Sequence, residues 1–545
     1  MRSIFTTITV IVMILSFKQA DSCTNILVSR GASVDGSTMI SYNADAGGFM
    51  EPLVFLPRGT YGPNDSMDVY DWDSQKYLGK IKQAPVTFQV IGNMNEFQVA
   101  IGETTFTGRE ELRDTTGKID YGSLIRITLQ RAKTAKEAIR VMDELVTEYG
   151  YYSTGESFSI SDPNEVWILE MIGKAGKERG AVWVAMRVPE GYIAAHANQA
   201  RIRKFPLNDP QNCLYSKDVI SFAEKMNYYD KKKDGEFSFV DAYNPLDAGS
   251  ALFCEGRVWS IFKNASPSQN FPEDYWRAVE GAEPYPLFIK PDKKLSVADV
   301  IDLMRDHFDG TEYDTKKGLG SEPFGNPVRW KPLQFQLPGD TVNTYGWERP
   351  ISTQQTAFSF VTQSRSNLPN EIGGVFWYSV DDNYTNVYVP LYCGITEMPP
   401  SSQGYSIADF SMNSAFWVFN LVANMAYSKY SFIYQDIKPI QEKLEKKFHN
   451  FQPAVEKVAG ELYKTDKELA IQYLTDYSVS QFELTVDEWR NLWEYLVLKY
   501  NDGYINDVRK DFGRHPKSSK YSNEFYQRAV KERPGYYDVK WKKKK

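Results

Sequence analysis

Between Ser123 and Tyr149 the apolar residues Leu124, Ile125, Leu129, Ala132, Ala138, Ile139, Met142, Leu145 and Val146 recur at helical spacing. The chain on both sides of this stretch reads as β-strand, and that order constrains the fold more than any other feature. Upstream, Thr24–Ser29 and Thr38–Tyr42 flank the turn sequence RGASVDGS, a hairpin signal. Val86–Gly92 and Phe97–Gly102 form a second pair joined by NMNE. Downstream come strands at Ser157–Ile160, Val166–Met171, Ala181–Ala185 and Tyr192–Ala195. Within the helical stretch, Thr134 and Glu137 stand at capping-box spacing and start a second helix. Strands, helices and strands again imply an α+β fold class with two sheets and helices on their outer faces. Residues 200–400 are loop-rich and proline-rich, with short strands near Ala357–Thr362 and Gly374–Val380. From about Ile407 the chain turns helical, with amphipathic patterns over Ser414–Tyr430, Asp436–Phe448, Pro453–Asp476 and Val486–Tyr500.

The residues before the first strand follow a different logic. Arg2 gives a positive start, and Ile8–Phe17 is apolar apart from Thr9 and Ser16. Lys18–Ser22 then forms a polar end with small residues, Ala20 and Ser22, three and one before Cys23. This is the three-part pattern of a secretory signal peptide over residues 1–22. The apolar run is shorter than the roughly 20 residues a membrane span needs, and nothing flanking it supports a retained anchor. A cut after Ser22 would leave Cys23 as the first residue of the mature chain, with a thiol and a free α-amine on one residue. Their ordinary pKa values lie near 8.5 and about 7.7–8.0, so near neutral pH the amine takes a proton from its own thiol. The residues alone leave two alternatives open. Cys23 is one of four cysteines, an even number that allows a disulfide. A lipid-modified cysteine is the other, although Ala20 and Asp21 stand where such a site carries Leu and a small residue.

Composition narrows the function classes. The 545-residue chain is long for one core and is 42% apolar and 14% aromatic, which favours large buried cores over disorder. A net charge of −7 without a basic stripe argues against nucleic acid. The terminal KWKKKK is a local run, expected to be a solvated tail. The four histidines, His196, His307, His449 and His515, are scattered, and no HExxH or CxxC occurs, so no zinc site is expected. The same scarcity argues against a cysteine–histidine protease; His196, beside a strand, is expected to serve the core or to support other residues. If Cys23 stays free, one disulfide can form among Cys213, Cys254 and Cys393, with Cys213–Cys254 the expected pair. Asn64, Asn264 and Asn383 head N-x-[ST] sequons, which matter only in a eukaryotic host.

The stretch CTNILVSRGASVDGSTMISYNAD resembles the mature start of the dipeptidase A family of N-terminal-nucleophile hydrolases, relatives of the secernins. NMNEFQVAIGETTF, DYGSLIRITLQRAKTAKEAI, YYSTGESFSISDPNEVWILEMIG and GYIAAHANQARI are similar to later blocks of that family, in order, and the resemblance covers about residues 23–400. It implies the αββα sandwich shared with penicillin V acylases and bile-salt hydrolases, a peptidase domain over 23–400 and a helical C-terminal region over 401–545. It also implies roles. Cys23 would be the nucleophile, and Asp45 would orient its amine and thiol. A main-chain amide near Thr104 and the side chain of Asn198 would be oxyanion donors, and Arg257 would sit near the nucleophile. One departure stands out: many relatives have arginine where this chain has Tyr42, which bears on how the thiol is activated.

The expected function is therefore a secreted cysteine dipeptidase that hydrolyses dipeptides or very short peptides through an acyl-enzyme on Cys23, with no metal or organic cofactor. Its expected location is outside the cell or in a lumenal or periplasmic space, without stable membrane insertion once the signal is removed; homo-oligomers are allowed. An N-acyl amide hydrolase of the acylase type asks for the same machinery. A non-catalytic secreted binding protein is the alternative outside enzymes.

Overall fold

The helical stretch carries its own start signals. Asp120 accepts from the amides of Gly122 and Ser123 and caps α1, Tyr121–Leu129. Thr134 accepts from the Glu137 amide at 3.1 Å and caps α2, Ala135–Tyr149. The return arm of the expected capping box reaches one residue further back, from the Lys133 amide to Glu137 Oε2 at 2.8 Å. The computed structural model describes residues 23–47, 52–175, 178–340, 343–404, 406–508 and 516–538. The expected signal peptide 1–22 and the KWKKKK tail lie outside the described residues.

Two antiparallel sheets dominate. The strands of the first are β1 (Asn25–Val28), β2 (Met39–Asp45), β10 (Ile193–His196), β12 (Thr356–Gln363), β13 (Val375–Val380) and β14 (Val389–Tyr392), in the order β10-β1-β2-β12-β13-β14. The second has β3 (Phe55–Leu56), β4 (Val90–Ile91), β5 (Met94–Asn95), β6 (Ala100–Thr107), β7 (Gly155–Ser161), β8 (Val166–Gly173), β9 (Ala181–Arg187) and β11 (Cys213–Tyr215). Its order is β11-β9-β8-β7-β6-β5-β4-β3, so β6 to β9 form a meander. The sheets face each other, with β1 and β2 against β6, β7 and β8, while α1 and α2 cover the outer face of the second sheet. α3 (Gly256–Ala265), α4 (Val297–Met304), α5 (Ala415–Ser428), α6 (Tyr430–Thr465) and α7 (Lys467–Lys499) pack around the first, and α4 lies against β2 and β12. The mixed helix and sheet content agrees with the expected α+β class.

Several local expectations change. The patterns 436–448 and 453–476 do not mark separate helices. α6 runs through Pro439 and Pro453, because the buried stripe Ile433, Ile437, Leu444, Phe448, Val455 and Ala459 continues on one face past both prolines. That packing outweighs the roughly 3 kcal/mol a proline costs inside a helix. Asp466, extended at φ −151°, ends α6 and caps α7 through the Leu469 amide at 3.0 Å. The expected Cys213–Cys254 disulfide does not form: Cys213 lies on edge strand β11, Cys254 precedes α3, and all four thiols are free. Asn383 is fully buried, donating to Asn43 Oδ1 at 3.1 Å and Tyr388 Oη at 3.0 Å, so its sequon is closed to a glycan in the folded protein. Among the described residues no helix is long and apolar enough to cross a membrane.

Candidate active site

The β1–β2 hairpin sets the first two residues of the site. Thr24 pairs with Asn43 through both main-chain bonds, at 3.3 and 3.0 Å, which puts Cys23 beside the end of β2 where Asp45 lies. The Asp45 main chain lies close enough to the Cys23 thiol to temper its rise in pKa slightly. The Asp45 carboxylate is held from the other direction, with Arg349 Nη2 at 2.5 Å from Oδ2 and Thr356 Oγ1 at 2.6 Å from Oδ1. Burial pushes this carboxyl up while Arg349 and Thr356 pull it back; the close ion-pair geometry favours the ionised form. Arg349 and Asp45 are almost fully buried, so Arg349→Met is expected to strand a buried charge. A loss of about 3–5 kcal/mol in unfolding free energy should follow, read from the denaturant midpoint. An unchanged midpoint would mean that Asp45 is neutral in the folded protein.

Arg257 joins this pair to a third segment. It follows a π-helical turn, Ala251–Glu255, at the entry to α3, the kind of irregularity that re-aims a side chain. Its Nη1 donates to Cys23 O at 2.5 Å and Thr24 Oγ1 at 2.8 Å. Its Nη2 donates to Ala197 O at 3.1 Å and Asn198 Oδ1 at 3.0 Å, and Nε to Phe253 O at 2.7 Å. The planar fork thus fixes the Cys23 main chain and the Asn198 amide together. Burial and the nearby Arg349 push the Arg257 guanidinium down to about 10. Asn198 stands just beyond β10 at φ +62°, a left-handed conformation that asparagine tolerates better than most residues. Its Nδ2 donates to Thr105 O at 2.7 Å.

Strand β6 supplies the remaining wall, and here one expectation shifts. Ile101 N donates to Asn93 O, while Glu103 O accepts from Asn25 Nδ2 at 2.6 Å and Thr105 O from Asn198 Nδ2. Alternation along an antiparallel strand therefore turns the main-chain groups of Glu103 and Thr105 to the edge facing Cys23 and Asn198. The Thr104 amide faces Ser157 across the ladder with β7. Thr104 contributes its hydroxyl instead, 2.7 Å from His196 Nδ1, and Ser159 Oγ lies 2.8 Å from Nε2. Burial, with Arg201 and Arg257 nearby, pushes His196 down to about 3, so it is neutral near pH 7 and props the strand.

The structure also brings in Glu103, which the sequence did not single out, and pairs it with Tyr42. Tyr42 OH donates to Glu103 Oε1 at 2.5 Å, and the Cys23 thiol lies 3.6 Å from Tyr42 Oη and 3.7 Å from Glu103 Oε1. Burial pushes the Cys23 thiol well up, and Glu103 and Asp45 add to the effect. In this setting the thiol keeps its proton until a base removes it. Glu103 itself is pushed up to about 7 by burial. Gly102 makes room for this approach: a Cβ there would lie 2.5 Å from Asn25 Oδ1 and 3.4 Å from Tyr42 Cβ. Thr356, which holds Asp45, also lines a cavity of about 270 Å³ with Ala46, Trp330, Asp381, Trp417 and Tyr427. The buried Glu in GETTF was a signal available in the sequence; Arg349, in a proline-rich loop, offered none.

The chain is similar to known peptidases over most of its length. The profile of peptidase family C69 matches residues 22–57 and 54–443. A probable dipeptidase of Salmonella dublin is 26% identical over 409 residues, covering 71% of this chain and 85% of that protein. A probable dipeptidase A of Streptococcus pyogenes serotype M3 is 25% identical over 480 residues, covering 84% of this chain and 94% of its own length. Dipeptidase A of Lactobacillus helveticus is 24% identical over 474 residues, covering 82% and 88%.

Proposed function

The chain belongs to peptidase family C69, and on that footing we propose that it is a cysteine dipeptidase whose nucleophile, Cys23, becomes N-terminal when residues 1–22 are removed as a secretory signal. The convergence of Cys23, Asp45, Asn198 and Arg257 on one point supports this reading most strongly. Two face-to-face sheets with helices outside, and a nucleophile at the head of β1, suit an N-terminal-nucleophile hydrolase sandwich. The mature protein then works outside the cytoplasm.

In this mechanism the neutral Cys23 α-amine takes the thiol proton and the thiolate attacks the peptide carbonyl carbon. The carbonyl electron pair moves to oxygen, where the Asn198 amide and the edge-facing amide of Thr105 donate to the oxyanion. The protonated amine then gives its proton to the leaving nitrogen as the C–N bond breaks, and the first product departs. The same amine deprotonates a water, which attacks the thioester; the C–S bond breaks and the acid product leaves. Asp45, anchored by Arg349 and Thr356 at the end of β2 beside Cys23, orients its amine and thiol.

Iodoacetamide is expected to abolish dipeptide hydrolysis with one adduct, on Cys23, and a dipeptide should protect. Burial raises all four thiols, Cys213 and Cys254 to about 11 and Cys393 higher, and only Cys23 carries an α-amine that can take its proton in this mechanism. A chelator should leave the rate unchanged. Inhibition by chelator that zinc or manganese restores would contradict the reading.

A further inference from the structure

Beside Cys23 lies a pair of carboxyls that the mechanism does not use. Glu103 on β6 and Glu156 on β7 are 2% and 1% exposed. Thr105 stands directly across the ladder from Glu156, and its Oγ1 donates to Glu156 Oε1 at 2.9 Å. Glu103 Oε1 takes the Tyr42 hydroxyl. The Oε2 atoms of both residues are buried without a donor. Thr105 follows Glu103 by two residues, so both glutamates stand on the same face of the sheet, and burial together with Glu103 pushes Glu156 well up. Asp73, near both and bonded to Tyr121 OH at 2.8 Å, adds to the negative field. Among the described residues neither glutamate forms an ion pair with Lys, Arg or His. A buried carboxyl pair without a cation opposes folding unless something else supplies the positive charge.

Position says what that something is. In an acyl-enzyme on Cys23 the α-nitrogen of the substrate's first residue is two bonds of about 1.5 Å each from the carbonyl carbon that Sγ attacks. Glu103 Oε1 is 3.7 Å from that Sγ. An α-ammonium there reaches the glutamate oxygens with its three donors. We propose that Glu103 and Glu156 form the subsite that receives the free α-ammonium of the substrate's first residue, which confines hydrolysis to short peptides with an unblocked N-terminus. The proposal rests on the reading of Cys23 as the nucleophile of a dipeptidase, and it names what that enzyme recognises. An N-acylated substrate offers no charge and one donor at this position, and leaves the two Oε2 atoms without partners.

The test compares a dipeptide with its N-acetyl derivative, using processed wild type, Glu103→Gln and Glu156→Gln. Wild type is expected to favour the free dipeptide by about a hundredfold in kcat/KM, as loss of a charged hydrogen bond implies. Either variant should lose most of that preference, through a higher KM for the free dipeptide and little change with the acetylated one. An equal fall on both substrates would overturn the proposal and assign Glu103 to the chemistry of Cys23 itself. A wild type indifferent to acetylation would overturn it too. A further measurement needs no variant: alanine amide should compete with the dipeptide and propionamide should not, whereas equal inhibition by both, or by neither, contradicts the subsite. Failure of the underlying reading looks different, because wild type would then hydrolyse neither substrate or would do so without a reactive Cys23.

Discussion

Replacing Cys23 with serine is expected to lower kcat/KM for dipeptides by about a thousandfold or more while the protein still folds. The residue is only 6% exposed and its thiol sits against Tyr42 and Glu103, so a hydroxyl of similar size fits the same contacts. What it lacks is nucleophilicity near neutral pH. Arg257 holds the main chain of residue 23 and the Asn198 amide whatever the side chain, so binding and oxyanion donors should survive the change. The variant is therefore expected to keep its KM and lose kcat. The comparison is steady-state kinetics on processed wild type and variant, with circular dichroism and thermal midpoint as folding controls. A folded, processed Cys23→Ser protein with full activity would remove Cys23 from the chemistry.

The second large effect concerns the α-amine. A protein with one extra residue ahead of Cys23 is expected to fold and to be inactive, and trimming by an aminopeptidase should restore it. The added residue turns the amine into an amide with no useful basicity. The nearby histidine does not replace it: His196 is occupied by Thr104 and Ser159, and its pKa of about 3 makes it a poor proton acceptor. The thiol, pushed up by burial beside two carboxyls, would have to ionise unaided. Equal activity of the extended and trimmed forms would transfer the role of base to a side chain, with Glu103, at about 7 and 3.7 Å from Sγ, the first to examine.

Local features of the fold were legible in the sequence because they are local. The β1–β2 hairpin, the capped α1–α2 pair and the meander β6 to β9 follow from periodicity and from turns or caps within a few dozen residues. The C-terminal helices were legible as helical but not in length, since a proline inside a pattern reads as a break and only tertiary packing carries α6 across Pro453. The site divides in the same way. Cys23, Asp45, Asn198 and Arg257 were legible through the family resemblance of their surrounding blocks. The strand around Thr104 was legible too, but which of its amides faces the thiol depends on register with β7 and on the bonds made by Asn25 and Asn198. Arg349 was out of reach: it meets Asp45 across 304 residues from a loop without periodicity. Pairing Cys213 with Cys254 failed because cysteine counting knows nothing of the strand and helix on which the two residues lie.

The central claim is that Cys23, as the first residue of the mature chain, carries the acyl group during turnover. The most direct measurement is intact and peptide-level mass spectrometry of active, processed protein quenched in acid during turnover of a slow dipeptide substrate. The account predicts that the N-terminal peptide begins at Cys23 with an unblocked α-amine, and that a fraction of it gains the mass of the substrate's first residue as a thioester, reversed by hydroxylamine. An active protein whose first residue is not Cys23, or an acyl group on any other residue, would contradict it.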